Sequence, residues 1–244
     1  MPDPAARPWW LRRHHLIWTL PEWHASAVRQ IADAELHRTV ASLLAAGWPL
    51  VVGRQTGTDS TGPASVGSIA CGLSLPPELG KRRLAFAIPR KAIVRAAPPL
   101  ALAEVIPHLP SECRSPSRRL LRAAELHGAE LRVYGSAAWQ SLTGRRWLTA
   151  QSDVDFLWRA RDSAQIAEVV ALLGEWERDS GRRADGEILF GEDDAVAWRE
   201  WLPAAGQSPT QRVVVKNLHG PRLSAREALL AALPSSRICA VAGA

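Results

Sequence analysis

The amino-acid sequence predicts an α+β fold: a small N-terminal α/β module, then a mixed sheet with helices packed against it. Three observations lead there. Apolar residues recur at three and four spacing in separate blocks. Short β-rich runs bounded by turn residues lie between those blocks. The texture then changes at a proline-rich stretch, after which strands and helices alternate.

Taken in order, Glu22 to Ala46 reads as one helix, with Val28, Ile31, Leu36, Val40, Leu43 and Leu44 on its apolar face. Gly47 and Pro49 stop it. Strands are expected at 49–54, 66–75 and 84–88, with a Gly, Ser and Thr-rich loop at 56–64. The proline-rich stretch 96–117 separates an N-terminal module, 1–95, from a second domain, 96–244. That domain opens with a helix over 116–127 ended by Gly128, then a strand at 131–134. A short helix starts at Gly135-Ser136 and a strand covers 154–158. Asp162 or Ser163 caps a helix running to Trp176. Strands follow at 187–190 and 211–216, and Ser224 with Glu227 reads as a capping box for a last helix to Leu233.

Composition narrows the function. The chain has 244 residues, 47% hydrophobic and 22% charged, which excludes a disordered chain. Three cysteines, at 71, 113 and 239, are too few and too scattered for a disulfide framework or a structural zinc site, so a reducing cytoplasm is expected. The longest uncharged apolar stretch, 39–53, is short of a membrane span and is broken by Gly47 and Pro49. No signal peptide is expected, because Pro21 and Glu22 cut off the apolar run after Arg12 and Arg13. The tryptophans are scattered without the repeated spacing of a single-strand stacking groove, so no nucleic-acid partner is expected. His14 and His15 lack further ligands at metal spacing and read as structural.

The chemistry concentrates in LRVYGSAAWQSLTGRRWLTAQSDVDFLW, residues 131–158. Gly135 lets backbone approach a ligand closely, and the helix that starts there presents unpaired N–H groups to an anion. The Ser136 hydroxyl adds a donor for a phosphate oxygen. Asp153 and Asp155 alternate with Val154 and Phe156, so the two carboxylates project from one face of a strand. Carboxylates so placed repel unless a cation intervenes, and oxygen donors of this kind suit Mg²⁺. Glu187, in ADGEILFG, enters another strand and is the expected third carboxylate. Asp185 is the weaker choice because Gly186 separates it from that strand. Lys216, ending RVVVKN, could neutralise a polyphosphate as a point charge. Each feature alone is commonly structural; their order, strand, Gly-Ser, helix, acidic pair, acidic strand, favours a site.

That order resembles the nucleotidyltransferase superfamily, although the gap between Ser136 and Asp153 is long for it. The segments YGSAAWQSLTG, SDVDFLW, DGEILF, AVAWREW and VVVKN, with the N-terminal RRHHLIW, PLVVGR and KRRLAFAIPRKAI, are similar to the phosphoribosyl-dephospho-CoA transferases of malonate decarboxylase, its holo-acyl-carrier-protein synthases. The resemblance implies a nucleotidyltransferase-like second domain and an N-terminal module that binds substrate or carrier. It also implies transfer of 2′-(5″-triphosphoribosyl)-3′-dephospho-CoA to a serine of the apo acyl carrier subunit, with release of pyrophosphate. Asp153 and Asp155 would then hold Mg²⁺, Glu187 would orient or deprotonate the serine, and Gly135 and Ser136 would cradle the outer phosphates. Arg82, Arg83, Arg90 and Lys91 would grip the substrate's phosphates or receive an acidic carrier. The rival readings are another nucleotidyltransferase, including the citrate lyase counterpart, and a basic binding module without catalysis.

Overall fold

The computed structural model describes residues 8–55, 67–202 and 211–233; the expected loop at 56–64 and Cys239 lie outside them. The fold is α+β and rests on two sheets. The first is built from β1 (Leu16–Thr19), β2 (Leu50–Val52), β3 (Ser68–Ser74), β4 (Arg83–Pro89) and β5 (Ile93–Ala97). Their order is β4-β3-β2-β1-β5, with every neighbour antiparallel.

Two helices, α1 (Pro21–Val28) and α2 (Glu35–Ala45), stand where one was expected over 22–46. The apolar period runs through the break, so periodicity alone misses it. Hydrogen bonds to a distant strand accompany it: the Gln30 side chain bonds both the N–H and the C=O of Ala87 in β4. Asp33 Oδ1 then accepts the Glu35 N–H at 3.0 Å and starts α2.

The second sheet is mixed. It contains β6 (Leu100–Ala101), β7 (Arg132–Tyr134), β8 (Val154–Arg159), β9 (Ala184–Phe190), β10 (Asp194–Ala197), β11 (Arg212–Asn217) and β12 (Gly220–Ala225), side by side in reverse chain order. Only β8 and β9 run parallel, and such a pair needs a long crossover. That crossover is α6 (Ser163–Ser180), capped as expected by Asp162, whose side chain accepts the Gln165 N–H at 2.8 Å. The remaining helices are α3 (Leu102–Val105), α4 (Ser111–Leu126), α5 (Gly135–Thr143) and α7 (Arg226–Ala231). The capping box of Ser224 and Glu227 does not form. Ser224 pairs with Val213 inside β12, and α7 follows Ala225 with no side-chain cap.

Each sheet has its own core, and α5 joins them. Val154, Phe156 and Trp158 of β8 pack with Ile166, Val169, Leu173 and Trp176 of α6, and Ala137 and Ala138 of α5 belong to the same cluster. The next residue, Trp139, belongs to the first core together with Trp147. The two indoles stack at 5.3 Å and both lie against Trp48, each pair adding about 0.5–1.5 kcal/mol beyond simple burial. The helix that begins at Gly135 is thereby clamped between both halves of the chain.

One correction bears on the site. β9 begins at Ala184 and continues through Gly186, so Asp185 lies inside the strand rather than beyond a break. Gly186 adopts φ +131°, and a Cβ there would sit 1.8 Å from the Phe156 carbonyl oxygen. Only glycine permits this approach of β9 to β8. Gly186→Ala should therefore lower the unfolding free energy by about 3 kcal/mol or more in urea titrations. A loss under about 1 kcal/mol would mean the strands part there without cost.

Candidate active site

Three backbone elements place the acidic side chains. Across β7, β8 and β9, Tyr134 lies opposite Asp155, and Asp155 opposite Asp185. Residues in register on adjacent strands project on the same side, so these three form a row. Asp153 sits just ahead of β8. Asp153, Asp155 and Asp185 each bring one carboxylate oxygen to within 4.8 Å of the others. Gly135 completes the wall. Its φ is +66°, and a Cβ would fall 2.0 Å from Asp155 Oδ2, so the carboxylate rests on bare backbone at the start of α5.

The electrostatics follow from the crowding. Burial, then the charges of Asp153 and Asp185, push the Asp155 carboxyl up to about 7, against a smaller opposing pull from Arg83. Burial and the charges of Glu187, Asp155 and Asp185 hold the Tyr134 phenol protonated, well above its ordinary range. Three hard oxygen donors that destabilise one another without a cation are a fitting set for Mg²⁺.

Glu187 does not join them. Parallel register sets it opposite Leu157, one step further along the sheet. There it is buried and ringed by basic side chains: Arg13 Nη2 donates to Oε1 at 3.1 Å, Lys216 Nζ to the same oxygen at 3.3 Å, and His14 Nε2 lies 3.2 Å from Oε2. Burial alone would raise this carboxyl, but the bond to His14 and the charge of Arg13 outweigh it and hold it at about 2. His14 itself stacks on Tyr134, with ring centroids 3.9 Å apart. Among the described residues the carboxylate that groups with Asp153 and Asp155 is therefore Asp185, and Lys216 pairs with Glu187.

A cavity of about 320 Å³ opens beside Asp155, between the two sheets. Leu16, Val52, Leu73 and Val133 supply an apolar wall, and Arg13, Arg54 and Arg83 bring positive charge. Gly135 lines it, with the α5 N-terminus behind; Ser136 is the second residue of that helix and half-buried. Of the four basic residues expected to grip substrate, Arg83 alone lines this cavity. Arg82 pairs with Asp33 at 2.8 Å. Arg90 and Lys91 are exposed beyond the far end of β4, about 20 Å from Arg83 along the strand. Arg13 and Arg54 were not singled out from sequence. Nothing local marks them, because what recruits them is the meeting of the two sheets.

The N-terminal portion, residues 12–99, matches the model for the phosphoribosyl-dephospho-CoA transferase MdcG N-terminal domain. Residues 101–227 match the model for the MdcG C-terminal domain. The chain is 38% identical to a phosphoribosyl-dephospho-CoA transferase of Xanthomonas axonopodis pv. citri, over 90% of this chain and 97% of that one. It is 33% identical to one of Bradyrhizobium diazoefficiens, over 85% and 90% respectively. No solved structure matches.

Two outcomes follow from the charges. A carboxyl raised in the fold costs stability above its folded value and ceases to do so as pH falls toward the ordinary 3.8. Metal-free Asp155→Asn should thus melt above the wild type at pH 8, and Mg²⁺ should raise the wild type's Tm but not the variant's. A variant that melts lower at pH 8 would mean the carboxylate is already compensated. Glu187 has the opposite sign. Its folded value lies below the ordinary 4.5, so its contribution is complete above that pH and is lost as pH falls toward about 2. Glu187→Gln should cost about 3 kcal/mol near neutrality, with the gap closing across that acid window in urea titrations. A gap independent of pH would contradict the ion cluster.

Proposed function

The chain belongs to the phosphoribosyl-dephospho-CoA transferase family, and on that premise we propose that it attaches 2′-(5″-triphosphoribosyl)-3′-dephospho-CoA to a serine of the apo acyl carrier subunit of malonate decarboxylase. The observation that carries this reading is the gathering of Asp153, Asp155 and Asp185, with Asp155 against Gly135 and lining a cavity that also holds Arg13, Arg54 and Arg83. Asp153, Asp155 and Asp185 would hold Mg²⁺, which supplies charge neutralisation to the triphosphate and the departing pyrophosphate.

The chain's own groups do the rest. The bare backbone of Gly135 and the first N–H groups of α5 receive outer phosphate oxygens, with the Ser136 hydroxyl adding a donor. Arg83 adds positive charge from the facing sheet. The carrier's serine oxygen bonds to the innermost phosphorus as the bond to the pyrophosphate oxygen breaks, in line with it. The serine proton passes to the Asp185 carboxylate, whose Oδ1 accepts the Gly186 N–H at 2.8 Å. Glu187, held by Arg13, His14 and Lys216, ties the N-terminal segment to the second sheet.

The partners are accordingly the triphosphoribosyl precursor and the apo carrier. Among the described residues no helix is long and apolar enough to cross a membrane. Cys71 and Cys113 are free, buried thiols, in keeping with a cytoplasmic enzyme.

The test combines the protein, Mg²⁺, the precursor and apo carrier, and reads intact carrier mass and released pyrophosphate. The carrier should gain the prosthetic-group mass. Asp153→Asn, Asp155→Asn and Asp185→Asn should each cut the rate about 100-fold or more without lowering Tm. Full turnover in any of the three would remove that residue from the site. Nucleotide transfer to a small molecule, with no carrier modified, would select a different nucleotidyltransferase.

A further inference from the structure

The sheet face that carries Asp155 continues to a second cavity. Side chains on one face recur every second residue, so Asp155, Leu157 and Arg159 of β8 line up, with Arg159 about 13 Å from Asp155 along the strand. Arg132 of β7 lies opposite Leu157. Around this end of the face is a cavity of about 570 Å³. Among its lining residues are Trp9, Arg12, His15, Arg132, Arg159 and Arg161.

Four arginines, Arg12, Arg132, Arg159 and Arg161, line this cavity. Arg132 pairs with Glu130, and Arg161 with Asp162 at 2.9 Å. Arg12 Nε and His15 Nδ1 are buried with no hydrogen-bond partner, and the His15 residue is only 9% exposed. Buried donors left without a partner beside an arginine-lined pocket favour an anion. Burial and then Arg12 lower the proton affinity of Arg159 against the opposing charges of Glu192 and Asp193, and burial, Arg12 and Arg132 hold His15 at about 4. Trp9 is 57% exposed, its ring 5.9 Å from that of His15, and offers a flat face to a heterocycle.

We propose that this cavity binds the 5′-diphosphate of the dephospho-CoA portion of the substrate, with adenine against Trp9. The proposal rests on the transferase reading. In that substrate two ribose units separate the 5′-diphosphate from the triphosphate, a spacing that suits the separation of Arg159 from Asp155. Pro99 lines both cavities, which are therefore neighbours. The Arg12 and Arg159 guanidiniums supply charge-assisted hydrogen bonds to phosphate oxygens, and His15 contributes a neutral ring nitrogen.

The test is calorimetric titration of the full chain with dephospho-CoA, without metal. Binding should occur, and inorganic pyrophosphate should compete with it. Arg159→Gln, at an exposed position, should weaken it about tenfold or more, while Asp155→Asn should bind as the wild type does. Wild-type affinity in Arg159→Gln, or no binding by the wild type, overturns the proposal. Carrier modification separates the two ideas. Transfer that keeps its wild-type KM in Arg159→Gln sinks the second cavity and leaves the transferase reading intact. Arg159-dependent dephospho-CoA binding without transfer supports the cavity and sinks the transfer reading.

Discussion

Three carboxylates share a space too small for their charges, and the strand register gives them no way to separate. Asp155 stands between Tyr134 on β7 and Asp185 on β9, and Asp153 enters from the turn before β8. The fold tolerates this repulsion because the opposite face of β8 is so well packed. Val154, Phe156 and Trp158 are essentially buried against α6. A strand held so firmly from behind can carry like charges in front, and the cost appears in the raised Asp155 carboxyl.

A second electrostatic arrangement, a step along the same strands, has the reverse character. Glu187 is a single buried anion answered by three basic side chains, two of them contributed by the N-terminal segment. It ties that segment to the second sheet, while Trp139 and Trp147 tie α5 to the first core. The cavity between the sheets has its shape because both ties hold. One acidic strand thus carries two arrangements: Asp185 groups with Asp153 and Asp155, and Glu187 ties the N-terminal segment to the sheet.

How much of this could be read from the sequence depends on the range of the interactions involved. The α+β class, the Gly135 turn, the pairing of Asp153 with Asp155 and the Asp162 cap are all written in neighbouring residues. The choice of third carboxylate was not. Gly186 reads as a strand breaker, yet here it is what allows β9 to press against Phe156, and that brings Asp185 level with Asp155. Side chains remote in sequence, Arg13 and His14, hold Glu187 apart from the aspartates. Likewise the basic residues of segment 81–91 look like one cluster on paper, but β4 carries Arg83 to the cavity and leaves Arg90 and Lys91 at its other end. Short strands such as β1 and β6 gain their identity from partners rather than from composition.

The central claim is that Asp153, Asp155 and Asp185, and not Glu187, make a divalent-cation site. Crystals grown with Mn²⁺ in place of Mg²⁺ test it most directly through anomalous scattering. The account predicts a peak in coordination contact, about 2.0–2.3 Å, with oxygens of all three aspartates. No peak among them, or a peak on Glu187 in place of Arg13 and His14, would contradict it.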